Sequence, residues 1–428
     1  MTGGSWGLAA LLCWHLGVSG GLPREVPLAQ VAPYVSGERL VRVLIFDGAA
    51  SLSLRPTRAV AVERPADGSH LAVVSAGAAV TVTWRSGKAE LRAGRFRLTS
   101  LPVRLRPLAA GGEAVVSARG GWGRRARYPG ALEIALGEEG LRVVAHLPLE
   151  DYLAGVVAAE VPAGFPWEAV RAQAIAARTY TLCHLDDHAR EGADLCALTH
   201  CQAYLGPPSP GSRAEEAVRD TAGLVLAWNG LLVDAMYHAA CGGATAAPWE
   251  VRQGKLLPYL RRADDSDWSG EGGPFCARGH QVTWQKRITR QQAERLISSN
   301  LGKVLGEPGL SPGRLRSLRI AGRAGDRVEW LEVATTRGTY RVRGDAIRWL
   351  FGSGRPGPTG LRSTSFTLSV EADRTGLPRA YLFRGTGHGH GIGLCQWGAR
   401  GRAELGQTAA DILAAYYPGA EVVDLRGY

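Results

Sequence analysis

Residues 38 to 146 are a succession of short strand-like runs, among them "RLVRVLIF", "HLAVVSAG", "AVTVTWRS", "EAVVSARG" and "LEIALGEEGLRVVAHL", with glycine-rich turns between them. Helical periodicity begins only at 148. A chain that lays down strands first and mixes helices with strands afterwards points to an α+β architecture, because a doubly wound parallel sheet would alternate the two from the start. The expected organisation is a β-rich N-terminal region at 21–130 followed by a mixed helix/strand domain at 131–428. With 428 residues, 45% hydrophobic and 21% charged, the chain can bury a large core and is not of the disordered class.

The first 20 residues carry an apolar core from Trp6 to Val18, too short to cross a bilayer comfortably, then the small residues Ser19 and Gly20. This pattern reads as an export signal cleaved before Gly21, although no Lys or Arg precedes the apolar core. No later segment has the length and apolarity of a transmembrane helix. The formal net charge of +11 is almost all arginine, which suits attraction to a polyanion. No run of five or more basic residues occurs and no basic stretch is interleaved with aromatics, so nucleic acid is not an expected partner.

The segment "LPLEDYLAGVVAAEVPAGFPWEAVRAQAIAARTY" (147–180) holds the chemistry. On a helix, Leu149, Tyr152, Leu153, Val156 and Val157 make one apolar stripe, and Glu160 falls in the middle of it, while Glu150 and Asp151 lie off it as surface carboxylates. A carboxylate facing an apolar interior must be paired, neutral or at a cleft wall, and desolvation would raise its pKa toward that of a general acid. On the next helix Arg171, Ile175, Arg178 and Leu182 share a face, the two arginines about 10 Å apart along the axis. Either these three charges form one polar site, or Glu160 turns to solvent and the arginines snorkel, one of them pairing with it.

The segment also resembles the signature of the SpoIID/LytB family, the stage II sporulation protein D type of peptidoglycan lytic transglycosylase. So do "CQAYLG" (201–206), "AVRDTAGLVLAWNG" (217–230), "YHAACGGAT" (237–245), "PYLRRADD" (258–265), "LRSTSF" (361–366) and "GHGHGIGLCQWGARGRAELG" (387–406), in order from about residue 130 to the C-terminus. The resemblance implies cleavage of the β-1,4 bond between N-acetylmuramic acid and N-acetylglucosamine, with the muramic acid 6-hydroxyl as nucleophile and a 1,6-anhydro end as product. It also implies glycan strands as substrate and a location in the cell wall, periplasm or other extracytoplasmic space. Ordinary glycosidases need two carboxylates; here the sugar supplies the nucleophile and one Glu can act as acid, then base. Carried over by position, that Glu is Glu160, its supporting arginine is Arg178 and its tyrosine is Tyr237. Arg171 stands where family members often have Lys, which keeps the charge and changes the donor geometry. LytB-type relatives are modifiers of wall amidases, so the resemblance is also compatible with a non-catalytic wall-binding partner of an amidase.

Some family members hold zinc in the segment after this helix, here "CHLDDHAREGADLCALTHCQAYLG". His188, Cys196, His200 and Cys201 could supply four N/S ligands to a closed structural zinc site. Cys241 or Cys276 could replace one of them, or the two could form a disulfide. A zinc amidase would instead need an open metal position. The run "GTGHGHGIG" (385–393) reads as a cleft wall where backbones approach closely, and "GLLVDAMYHAACGG" (230–243) alternates like one continuous strand.

Overall fold

The computed structural model describes residues 25–85, 87–252, 256–267, 273–352 and 360–428. The expected export signal at 1–20 lies outside them. The architecture is α+β, with the strands concentrated toward the N-terminus.

The N-terminal region forms an eight-stranded and a six-stranded sheet. The two-residue period is clear in Ser51–Pro56, where the side chains of Leu52 and Leu54 are buried while Ser53 and Arg55 face out, whereas Val41–Ala49 has a run of four buried residues. Val41–Ala49 lies next to the edge of the larger sheet and pairs with Leu141–Leu147, which pairs in turn with Ala131–Leu136. The sheet therefore continues past residue 130. On its other side Val43 and Leu44 pair in parallel with Leu195 and Cys196, so a short piece of the later chain is stitched to the sheet edge.

The helix Leu149–Glu160 buries the whole expected stripe, Leu149, Tyr152, Leu153, Val156 and Val157. It stops at Glu160 because Val161, ahead of Pro162, is extended (φ −122°). The helix Trp167–Cys183 begins just after Pro166 and is buried on nearly every side, with small residues Ala172, Ala174, Ala176 and Ala177 letting neighbours approach. Packed around it are the helices Leu149–Glu160, Arg213–Asp220, Gln396–Glu404 and Ala409–Tyr416 and the strand Leu224–Trp228. The last of these helices opens with a capping box, Thr408 and Asp411.

A second hydrophobic core, built around Trp284, Ile297, Leu331, Phe351, Phe366 and Phe383, belongs to two three-stranded sheets and the helix Arg290–Leu305. Among the described residues no helix is long and apolar enough to cross a membrane.

The single strand expected over 230–243 is broken. Leu231–Leu232 pairs with the preceding strand, and Tyr237–His238 pairs in parallel with Leu394–Cys395. Between them Asp234 is buried against His184 and Arg252, and the Met236 N–H donates back to the Asp234 carbonyl, turning the chain. Alternation of residue types could not reveal that a buried ion pair interrupts the run.

Candidate functional site

Glu160 ends its helix half-buried. Its Oε1 accepts the Ala203 backbone N–H at 2.8 Å and its Oε2 accepts the Gln396 side-chain amide at 3.2 Å. Burial pushes its pKa up, and these two donors pull it part of the way back. Tyr237 stands close enough for the Glu160 charge to add to burial in raising the phenol's pKa well above its usual value. The phenol donates to Gln202 Oε1 at 2.8 Å, and the Gln202 amide donates to Thr181 Oγ1 at 2.7 Å. Glu160, Tyr237, Gln202 and Gln396 thus form one polar nest between two helices and a short parallel pairing. Tyr237 and Gln396 are set by the same feature, since Tyr237 pairs with Leu394 and His238 with Cys395.

Aromatic groups flank this nest. The ring of Phe165 meets Trp397 edge-on at 5.0 Å, and Trp397 stacks on His280 at 4.1 Å with Arg400 over its ring. Tyr180 meets Tyr237 edge-on and stacks on His184 at 4.1 Å. His184 is clasped by Asp187 at 2.8 Å and Asp234 at 3.0 Å. Burial alone would lower the imidazole's pKa, but the two carboxylates outweigh it and bring it to about 9.

The expected union of Glu160 with two arginines is not formed. Arg178 has no solvent exposure. It grips Glu150 through Nε at 2.9 Å and Nη2 at 2.6 Å, and donates to the carbonyls of Val218 and Leu224 and to Thr221 Oγ1. These bonds engage the five N–H donors of the guanidinium, leaving none for Glu160. Glu150, read from spacing as an ordinary surface carboxylate, is the partner of this arginine. Arg171 binds Asp220 at 2.7 Å and Glu168 at 3.0 Å. Both arginines bond to the helix Arg213–Asp220, Arg178 at the Val218 carbonyl and Arg171 at Asp220.

His188, Cys196, His200 and Cys201 do come together, with one ligand atom from each lying within 4.8 Å of the others. The two sulfurs are 3.6 Å apart, and His200 Nδ1 is 3.4 Å from both His188 Nε2 and Cys201 Sγ. The remaining nitrogen of His188 faces Glu191 at 3.5 Å, the outer carboxylate that commonly orients a metal-binding imidazole. Two sulfurs and two nitrogens in this arrangement fit a closed tetrahedral zinc site. Cys241 and Cys276 lie elsewhere, their sulfurs 3.6 Å apart and not bonded to one another.

Residues 137–228 match the model of the stage II sporulation protein family, SpoIID. The segment that carries Glu160 is a SpoIID domain. The chain is 30% identical over 298 residues to the amidase enhancer of Bacillus subtilis (strain 168), a match covering 62% of this chain and 39% of that relative. The chain therefore spans about two fifths of the length of that protein. It is also 27% identical over 306 residues to stage II sporulation protein D of the same organism, covering 67% of this chain and 77% of the relative. An uncharacterized protein of Brachyspira hyodysenteriae is 26% identical over 298 residues, covering 69% and 72%. Residues 277–393 match a second model, a domain of unknown function (DUF8618).

Gln202, in the SpoIID segment, and Gln396, beyond it, were missed by sequence reading, although a signal existed. Both follow a cysteine, Cys201-Gln202 and Cys395-Gln396, inside blocks already singled out. The glycine run 385–393 packs as close-approach backbone: a Cβ on Gly387 would sit 2.7 Å from the Cys241 carbonyl oxygen, and one on Gly393 would collide with that of Met236. The His390 Nε2–H donates to the Tyr237 carbonyl oxygen, 2.8 Å away, while Nδ1 accepts the Ile392 backbone N–H, so the run braces the strand that carries Tyr237.

Proposed function

We propose that this chain is an exported peptidoglycan lytic transglycosylase in which Glu160 is the only acid/base. Glu160, protonated, gives its proton to the glycosidic oxygen as the bond to the muramic acid anomeric carbon breaks. The muramic acid 6-hydroxyl then bonds to that carbon and returns its proton to the Glu160 carboxylate, leaving a 1,6-anhydro end and a free 4-hydroxyl with no water consumed. Burial favours the acid form needed first, and the Ala203 and Gln396 donors stabilise the carboxylate needed second. Tyr237 supplies a neutral phenol beside the charge. Trp397, partly exposed and braced edge-on by the buried Phe165, offers an aromatic surface beside the nest for a sugar ring. The observation that carries this reading is one half-buried carboxylate held by two donors. Among the described residues no second carboxylate is hydrogen-bonded into the nest of Glu160, Gln202, Tyr237 and Gln396. The cluster at His188, Cys196, His200 and Cys201 would hold a structural zinc with no open position, which argues against a zinc amidase. The net positive charge suits an anionic wall.

The amidase enhancer among the relatives supports a second reading, a non-catalytic wall-bound modifier of an amidase. Mass spectrometry of glycan strands digested with the purified chain separates the two, using both peptide-bearing and stripped strands. 1,6-Anhydro ends made by the wild type and not by Glu160→Gln support the enzyme; no such ends from either substrate supports the modifier.

A further inference from the structure

Cys241, Asp265, Cys276 and Cys395 form a second four-residue cluster, contributed by four separate stretches of chain and with no exposure at any of them. One ligand atom from each lies within 4.8 Å of the others. None of the four falls within 137–228 or 277–393, the segments that match family models.

Buried cysteines alone are ordinary core residues. Three features set this group apart. The first is the carboxylate: Asp265 Oδ2 is 3.1 Å from Cys241 Sγ, while Oδ1 is held by the Tyr416 hydroxyl and faces Arg402 Nε at 3.5 Å. A carboxylate aimed at sulfurs and oriented from behind by a phenol and a guanidinium is the arrangement of a metal ligand with its outer partners. The second is the set of backbone donors. The N–H groups of Cys241 and Gly398 both point at Cys395 Sγ at 3.2 Å, and that of Gly243 points at Cys241 Sγ at 3.4 Å. A thiol sulfur is a weak acceptor, whereas a thiolate makes strong charge-assisted bonds, so this backbone is arranged for thiolates. The third is spacing. The sulfurs of Cys241 and Cys276 are 3.6 Å apart. A disulfide requires about 2.05 Å, while a tetrahedron of 2.3 Å zinc–sulfur bonds has an edge of about 3.8 Å.

We infer that Cys241, Asp265, Cys276 and Cys395 bind a zinc ion in a closed S3O tetrahedral site. Thiolate sulfur selects zinc over calcium or magnesium, and four protein ligands leave no position for a substrate. Burying three thiolates and a carboxylate together is tenable only with a cation among them. The ion joins the strand of Tyr237, the Asp265 and Cys276 loops and the start of the Gln396–Glu404 helix. One of its ligands, Cys395, immediately precedes Gln396 of the Glu160 nest, as Cys201 of the His188 cluster immediately precedes Gln202.

The test is metal content of the full chain purified with zinc present, measured by elemental mass spectrometry, and it is independent of any glycan activity. The expected result is two zinc ions per chain, one lost in Cys276→Ser and the other lost in Cys201→Ser. Asp265→Asn, which keeps the side-chain shape, is expected to weaken zinc retention at this site at least tenfold against a chelator. Should Cys276→Ser perturb folding, cobalt(II) loaded into the Cys201→Ser chain gives a second readout, because thiolate-to-cobalt absorption then reports on this site alone. Zinc content unchanged in Cys276→Ser, absence of that absorption, or a mass lower by two hydrogens in the native chain from a Cys241–Cys276 disulfide would each overturn the inference.

Discussion

The Gln396 amide reaches the Glu160 carboxylate at 3.2 Å across 236 positions of sequence. The other oxygen of that carboxylate is held by Ala203, two residues beyond Cys201. The proposed acid is thus gripped from two distant parts of the chain, each anchored beside a cysteine cluster.

Glu160→Gln preserves side-chain size, its amide oxygen still accepting the Ala203 N–H and its amide nitrogen facing a Gln396 side chain that can present its oxygen, but it has no acidic proton to give. The expected loss of 1,6-anhydro product is about 100-fold or more, the scale of general acid catalysis. Stability should move the other way. A carboxyl whose pKa is raised by folding contributes stability at low pH that is lost as pH rises through the folded value. The variant lacks this loss, so its Tm relative to wild type should rise between pH 4 and pH 8.

Gln396→Ala removes one donor to the ionised carboxylate, which raises the Glu160 pKa further. If the acid form starts the reaction, the alkaline limb of the pH–rate profile should shift upward, with a fall in rate of about tenfold from lost positioning. An unshifted limb would separate Gln396 from the acid.

Arg178→Ala should act on the fold. It leaves Glu150, two carbonyls and a threonine hydroxyl without their partner in a buried setting. Breaking a pair of this kind costs about 3–5 kcal/mol, readable by chemical denaturation. A stable Arg178→Ala protein with lost glycan cleavage would instead place the guanidinium in the chemistry.

His184 has a folded-state pKa of about 9, above the ordinary value of about 6.5. The stability it contributes through Asp187 and Asp234 is complete below about pH 6.5 and disappears as pH rises through 9. His184→Gln should flatten the Tm-against-pH curve of wild type between those values. A curve of unchanged slope would remove His184 as the source.

Cys201→Ser should lower Tm and loosen Gln202, and with it the hydrogen bond to Tyr237, if a metal organises the His188 cluster. A chelator should reproduce the fall in wild type and have less effect on the variant.

Periodicity located Glu160 because the stripe around it is long and the carboxylate interrupts it in one place. It left the partners of Arg178 open because a helix face can be read from spacing, whereas what packs on that face cannot: Val218, Thr221 and Leu224 lie 40 to 46 positions further on. The His188 cluster was legible since its four residues fall within one short segment. Cys395 was not, because its neighbour Cys241 is 154 positions away and its own surroundings read as the start of a helix. The α+β order was plain from the strand runs, while the break at Asp234 depended on His184 and Arg252, which are close only in space.

The tightly packed glycine run adds a constraint on sequence drift. At Gly387 and Gly393 there is no room for even a methyl group between this backbone and the stretch carrying Tyr237 and Cys241. Any side chain there would work as a wedge, prising Leu394 from Tyr237 and swinging the adjoining amide off the acid. Positions that touch no sugar and carry no reactive group should therefore tolerate mutation as poorly as Glu160 itself.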